Sequence, residues 1–141
     1  MRVWRVHDDT FAKGAWTGEG ARLYGGRWNH AGVPVVYASE HAALAIVEVM
    51  AGNLREGDLK HFRLYSADVP DICVTDLPAG ATDRERGGKW LESGVLGCRV
   101  PSAAAPGTNI LLNPASPDWK RVTFLQPTRI DPRLHKSGRK P

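Results

Sequence analysis

Long apolar runs, metal-ligand spacings, phosphate-cradling glycine motifs and close cysteine pairs are all missing from these 141 residues. Without a run of about 18 apolar residues nothing reads as a membrane span. The start, Met1-Arg2-Val3-Trp4-Arg5-Val6-His7-Asp8-Asp9, turns polar sooner than a signal peptide does. The two cysteines, Cys73 and Cys98, have neither metal-ligand spacing nor a reason to pair, and read as reduced thiols of a cytoplasmic protein. The five histidines (7, 30, 41, 61 and 135) are scattered and form no metal pattern. Neither GxGxxG nor GxxxxGK[ST] occurs, which removes the common nucleotide cradles.

What is present is an ordinary globular composition, 42% hydrophobic and 24% charged, in a length suited to one domain. The net charge of +4 invites a nucleic-acid reading, but its location argues otherwise. Residues 129–141 hold Arg129, Arg133, Lys136, Arg139 and Lys140 against Asp131, so the excess sits in the tail and the body is balanced. No direct nucleic-acid binding by the body is expected. The domain is expected over residues 1–134, with 135–141 a basic tail that cannot bury a core.

Residues 3–6 read as a first strand, followed by a glycine-rich stretch too irregular to be an element. Residues 34–38 have strand character, with Ser39 as N-cap and Glu40 in the first turn of a helix reaching Met50. That helix is apolar nearly all round apart from Glu48, which predicts a buried helix. Strands are expected at 61–67, 71–74, 99–100, 108–112 and 121–125, with a short helix at 84–93 despite Gly87 and Gly88. The rhythm of a doubly wound fold is missing, and the pattern predicts a mixed α/β domain around a bent or split sheet.

Four places in the chain carry candidate chemistry. Glu48 shares a helical face with Leu44 and Ala45, and a carboxylate there needs a partner. It either points through a gap to water or makes a structural pair with an arginine, or else it forms the floor of a cleft. In Gly25-Gly26-Arg27-Trp28-Asn29 the arginine offers a planar fork for phosphate or ribose oxygens, while Trp28 and Asn29 serve as anchors. Tyr37, at the end of the strand, is a core residue with its hydroxyl at the rim or a surface for a flat heterocycle. Ser102, after Pro101, is a turn residue or a hydrogen-bonding group toward ligand, and no spacing marks it as a nucleophile.

Taken in order, these stretches resemble the RES-domain family, toxins named for Arg, Glu and Ser. The resemblance rests on Gly20-Ala21, Gly25-Gly26-Arg27-Trp28-Asn29, Val36-Tyr37-Ala38 and the helix to Glu48. It continues through Trp90-Leu91, Val100-Pro101-Ser102-Ala103, Asn109, Leu112-Asn113-Pro114 and Ile130-Asp131-Pro132-Arg133-Leu134. It implies an ADP-ribosyltransferase-like fold, NAD⁺ as substrate and no metal. It further implies a toxin–antitoxin setting, with an Xre-like helix-turn-helix antitoxin covering the active site, and it is compatible with a homodimer. Family members deplete NAD⁺ by phosphorolysis or hydrolysis, or ADP-ribosylate a protein. By motif, Arg27, Tyr37 and Glu48 are the catalytic set, Ser102 binds substrate with Arg27 and Tyr37, and Arg5 and Asn109 are further ligand contacts. Glu48 would stabilise the positive charge that builds on the ribose as nicotinamide leaves. A non-enzymatic binding module using the basic tail is the remaining alternative, disfavoured by the neutral body and by Glu48.

Overall fold

The structure, a computed structural model, describes residues 1–52 and 58–130. Among these residues eight strands form one sheet: β1 (Arg2–Asp8), β2 (Val36–Ser39), β3 (Phe62–Asp68), β4 (Val74–Asp76), β5 (Gly97–Pro101), β6 (Thr108–Leu112), β7 (Thr123–Phe124) and β8 (Thr128–Arg129). Their spatial order is β4-β5-β6-β2-β1-β3-β7, with β8 also paired to β3. Only β4 and β5 run parallel; the other pairs are antiparallel. That parallel pair is joined by α3 (Asp83–Ser93), because a parallel connection needs a crossover. The other helices are α1 (Glu19–Tyr24) and α2 (Ala42–Met50).

Alternation along the strands loads both faces. Val3, Val36, Ala38, Ala67, Ile110 and Leu112 build a core on one face. On the other, Cys98, Val100 and Leu111 pack with Trp28 and with Trp90 of α3. The expected mixed α/β domain forms around a sheet that stays connected and does not split. β1 pairs β3 along its whole length, yet it meets β2 at one register position only, Trp4 opposite Ser39. Past that point β1 and β2 part, and α2 packs over both of them.

Several local expectations are corrected. Ser39 does not cap a helix: it ends β2, and the Glu40 N–H continues the sheet by donating to the Thr108 carbonyl at 3.1 Å. His41 holds the N-cap position, with no side-chain cap bond. The helix is not buried all round. Leu44 and Ala45 face inward, while Val47 and Met50 are 40% and 51% exposed, because α2 lies on one side of the sheet. The glycine-rich stretch holds a 3-10 turn at Asp9–Gly14 and then α1. Its glycines punctuate instead of disordering: Gly18 and Gly25 flank α1 with φ of 71° and 72°.

Residues 71–73 form a 3-10 turn, closed by the Cys73 N–H on the Pro70 carbonyl at 2.9 Å, so the strand begins only at Val74. A further 3-10 turn, Trp119–Arg121, shortens the last expected strand to β7, and β8 adds a strand that the sequence pattern does not signal. Helix α3 tolerates Gly87 because it must: a methyl there would sit 1.9 Å from the Trp28 carbonyl oxygen. Its start is set by Thr82, whose hydroxyl accepts the Glu85 N–H at 3.1 Å. Both cysteines are buried and unpaired, and burial pushes the Cys98 thiol up to about 12. The expected tail and the last residues of the closing motif lie outside the described residues.

Candidate active site

The site lies where β1 and β2 part. A cavity of about 200 Å³ opens there, and Trp4, Arg5, Tyr37, Ser39, Glu48 and Asn109 are among the residues lining it. Each strand contributes through its register. Ser39 stands opposite Asn109 between β2 and β6, and opposite Trp4 between β2 and β1. Helix α2 brings Ala45 and Glu48, three residues apart, to the same cavity.

Among the described residues no arginine holds Glu48. Its Oε1 accepts the Asn109 Nδ2 at 2.9 Å and a short bond from the Ser102 hydroxyl. Among the described residues its Oε2 receives no hydrogen bond. One carboxylate oxygen is therefore pinned by two neutral donors and the other is left for whatever enters the cavity. The structural ion pair considered for Glu48 is not the arrangement found.

Ser102 is itself locked. Its Oγ accepts the N–H groups of Ala104 and Ala105 at 3.1 and 3.3 Å while its proton goes to Glu48. A hydroxyl has two lone pairs, and both are engaged, so Ser102 is poorly placed to act as a nucleophile. The turn that carries it is closed by the Ser102 N–H on the Gly107 carbonyl at 3.0 Å.

Arg5 is the cation of the cavity. Its NH1 donates to the Tyr37 carbonyl at 2.8 Å, a group that the parting of β1 and β2 leaves without a strand partner. Its Nε is buried with no partner among the described residues. Burial lowers the guanidinium to about 10, which leaves it charged at neutral pH.

Tyr37 ties the cavity to the arginine loop. Its hydroxyl donates to Asn29 Oδ1 at 2.7 Å and accepts the Trp28 N–H at 3.1 Å, so it sits in the loop and not at a rim. Burial raises its pKa further above the ordinary phenol value. Asn29 also donates to the carbonyls of Ala21 and His30, and both it and Trp28 are buried, as anchors should be. Arg27 alone of the predicted residues stands apart. Its Nε pairs with Asp83 at 2.9 Å, NH1 reaches the Pro101 carbonyl at 3.3 Å, and the guanidinium stacks 4.5 Å from the Trp28 ring centre. It does not line the cavity, although Pro101 adjoins Ser102. The Arg27–Asp83 pair is half-exposed on both sides, and such pairs contribute about 0–1 kcal/mol, so an anion can replace Asp83 at small cost.

The structure thus brings together Arg5, Tyr37, Glu48, Ser102 and Asn109, with Arg27 at the edge. Sequence reasoning missed Ser39 and Asp83. For Ser39 a signal existed, since it lies two residues from Tyr37 on the same face of a strand. No group of three or more histidine, cysteine or acidic side chains that could hold a metal occurs among the described residues.

A profile of the RES domain matches residues 2–132. The chain belongs to the RES domain family. A relative named Toxin Res, from Photorhabdus laumondii, is 34% identical over 97% of this chain and 99% of its own length. One from Sphingobium named Prs ADP-ribosylating toxin is 33% identical over 93% of the chain and 94% of its own. The third is MbcT of Mycobacterium tuberculosis, named an NAD(+) phosphorylase, which is 40% identical over 70 residues, 45% of this chain and 38% of MbcT. The fold extends that last match. A chain of the crystal structure of the MbcT-MbcA toxin-antitoxin complex superposes with a TM-score of 0.76 over 95% of this chain and 86% of that one, at 24% identity. The RES fold therefore holds across nearly the whole chain. No described helix is long and apolar enough to cross a membrane.

Proposed function

We propose that this RES domain is the toxin of a toxin–antitoxin pair, an enzyme that binds NAD⁺ and breaks its nicotinamide–ribose bond. The observation that carries the reading is Glu48, with Oε1 fixed by Ser102 and Asn109 and Oε2 open in a small cavity. As neutral nicotinamide departs, positive charge develops at the ribose C1′, and a carboxylate fixed beforehand stabilises it with little reorganisation. The free Oε2 accepts the 2′-hydroxyl of the same ribose. The ring of Tyr37 lines the cavity and orients the nicotinamide. About 200 Å³ takes the nicotinamide and its ribose, not the dinucleotide, which is larger than such a cavity. The diphosphate then runs toward the arginines, with Arg5 inside and Arg27 leaving Asp83 to meet it. Ser102 acts chiefly on Glu48.

Phosphate or water completes the reaction in this reading, in keeping with the relative named an NAD(+) phosphorylase. A second reading has a protein side chain as acceptor, favoured by the likeness to the Prs ADP-ribosylating toxin over nearly the full chain. Incubating purified protein with NAD⁺, with and without phosphate, and resolving the products separates them. ADP-ribose 1″-phosphate or ADP-ribose supports the first; with labelled NAD⁺ and a cell extract added as a source of acceptors, label transferred only to protein supports the second; intact NAD⁺ in both incubations sinks both. The antitoxin, of Xre-like helix-turn-helix type, restrains the toxin by covering the cavity, and a homodimer is compatible with this arrangement. If the bound partner left turnover unchanged, occlusion would be wrong.

A further inference from the structure

The bonds around Glu48 continue one residue deeper than the functional reading uses. Buried Ser39 donates its hydroxyl to Asn109 Oδ1 at 2.7 Å, and Asn109 Nδ2 donates onward to Glu48 Oε1 at 2.9 Å. The two residues are direct Cα partners across β2 and β6, so the sheet register sets their contact. We propose that Ser39 is a positioning residue for Glu48, its hydroxyl holding the Asn109 amide with N–H toward the carboxylate.

The physical reason lies in the amide. Its two ends are nearly alike in shape but opposite in hydrogen bonding. A half-turn of the Asn109 side chain would put a carbonyl lone pair against Glu48 Oε1, where an N–H now stands. The Ser39 proton on Oδ1 favours the observed orientation from the far side, as the carboxylate does from the near side. Without Ser39, the amide loses one of its two restraints. The carboxylate torsion is intrinsically broad, so Glu48 would then be held firmly by Ser102 alone and Oε2 would spread over a wider arc. Transition-state stabilisation depends on that placement more than ground-state binding does. The inference rests on the reading of Glu48 as the catalytic carboxylate, and the test keeps the two apart.

The experiment measures nicotinamide release from NAD⁺ by the full-length protein and by Ser39→Ala, Ser39→Thr, Asn109→Ala, the Ser39→Ala/Asn109→Ala pair and Glu48→Gln. Ser39→Ala is expected to lower kcat by about ten- to a hundredfold, the scale of a small misplacement, with KM within about threefold. Ser39→Thr, which restores the donor, should recover most of kcat. Adding Ser39→Ala to Asn109→Ala should change kcat no further, since Ser39 acts through Asn109. If Ser39→Ala does not fold, Ser39→Cys, close in shape but a weak donor, carries the same expectation of a loss in kcat alone. Parental kcat in Ser39→Ala alongside an inactive Glu48→Gln overturns the role of Ser39 and spares Glu48. Multiplying losses in the double variant overturn it as well, because Ser39 would then act independently. Parental turnover by Glu48→Gln removes the reading of Glu48 and this inference with it.

Discussion

Changing Tyr37 to phenylalanine removes one oxygen and two hydrogen bonds at the junction of the arginine loop and β2. The hydroxyl donates to Asn29 Oδ1 at 2.7 Å and accepts the Trp28 N–H at 3.1 Å, and both partner residues are buried. Phenylalanine keeps the ring but leaves an orphan acceptor and an orphan donor. Each unsatisfied buried group costs about 1–3 kcal/mol, so the pair should cost about 2–6 kcal/mol. For a chain of this length that corresponds to a fall in Tm of roughly 10 °C. Tyr37 is a lining residue of the cavity and the substitution keeps its ring, so turnover per folded molecule should fall less than about threefold. Tyr37→Ala should lose the ring too and raise KM steeply. Thermal unfolding by circular dichroism, beside nicotinamide release below the transition, separates the effects. A Tyr37→Phe protein as stable as the parent but inactive would refute the reasoning, since the hydroxyl would then serve chemistry and not the loop.

Arg5→Met should weaken NAD⁺ binding with little net change in Tm, because the gain from removing a guanidinium whose Nε has no partner among the described residues is offset by the loss of its bond to the Tyr37 carbonyl; calorimetry and a binding titration check both halves. Burial lowers the pKa of His7, so the unfolded chain takes the proton first and stability should fall as pH drops through the ordinary histidine range. Denaturant midpoints at pH 7 and pH 5 should show that loss in the parent and less of it in His7→Gln. Gly87→Ala should destabilise severely, its methyl meeting the Trp28 carbonyl at 1.9 Å, whereas Gly88→Ala, with nothing within 4 Å, should be neutral or stabilising; paired melting curves decide.

Much of the site is legible in the sequence because its residues sit in locally recognisable settings. Glu48 stands out as the lone charge on an apolar helix, and Arg27 stands out between glycines and aromatics. The β6 strand agrees residue for residue because five consecutive residues, Thr108–Leu112, have strand character between a glycine and Asn113-Pro114. What stays hidden is relational. Ser39 looks like an ideal helix cap from its neighbours alone, and only the register with Asn109 shows that its hydroxyl is already committed elsewhere. Helix α2 reads as buried because composition does not say how many sides of a helix are covered. Gly87 and Gly88 lower the helical signal of α3 equally, yet one of them is demanded by a tryptophan carbonyl nearly sixty positions away in sequence. The motif puts Arg27 inside the cleft, but its partner Asp83 comes from the first turn of α3, which no local pattern announces.

In the proposed reaction a negative charge at Glu48 drives departure of nicotinamide. Glutamine at position 48 keeps an oxygen to accept from Ser102 and Asn109, so the fold should survive while the charge is lost. The most direct measurement is the single-turnover rate of nicotinamide release from NAD⁺ by parent and Glu48→Gln, on preparations whose Tm and NAD⁺ affinity are taken alongside. Losing about 3–4 kcal/mol of electrostatic stabilisation predicts a rate lower by roughly two to three orders of magnitude, with Tm and affinity little changed. A stable Glu48→Gln protein that binds NAD⁺ and releases nicotinamide at the parental rate would contradict the account.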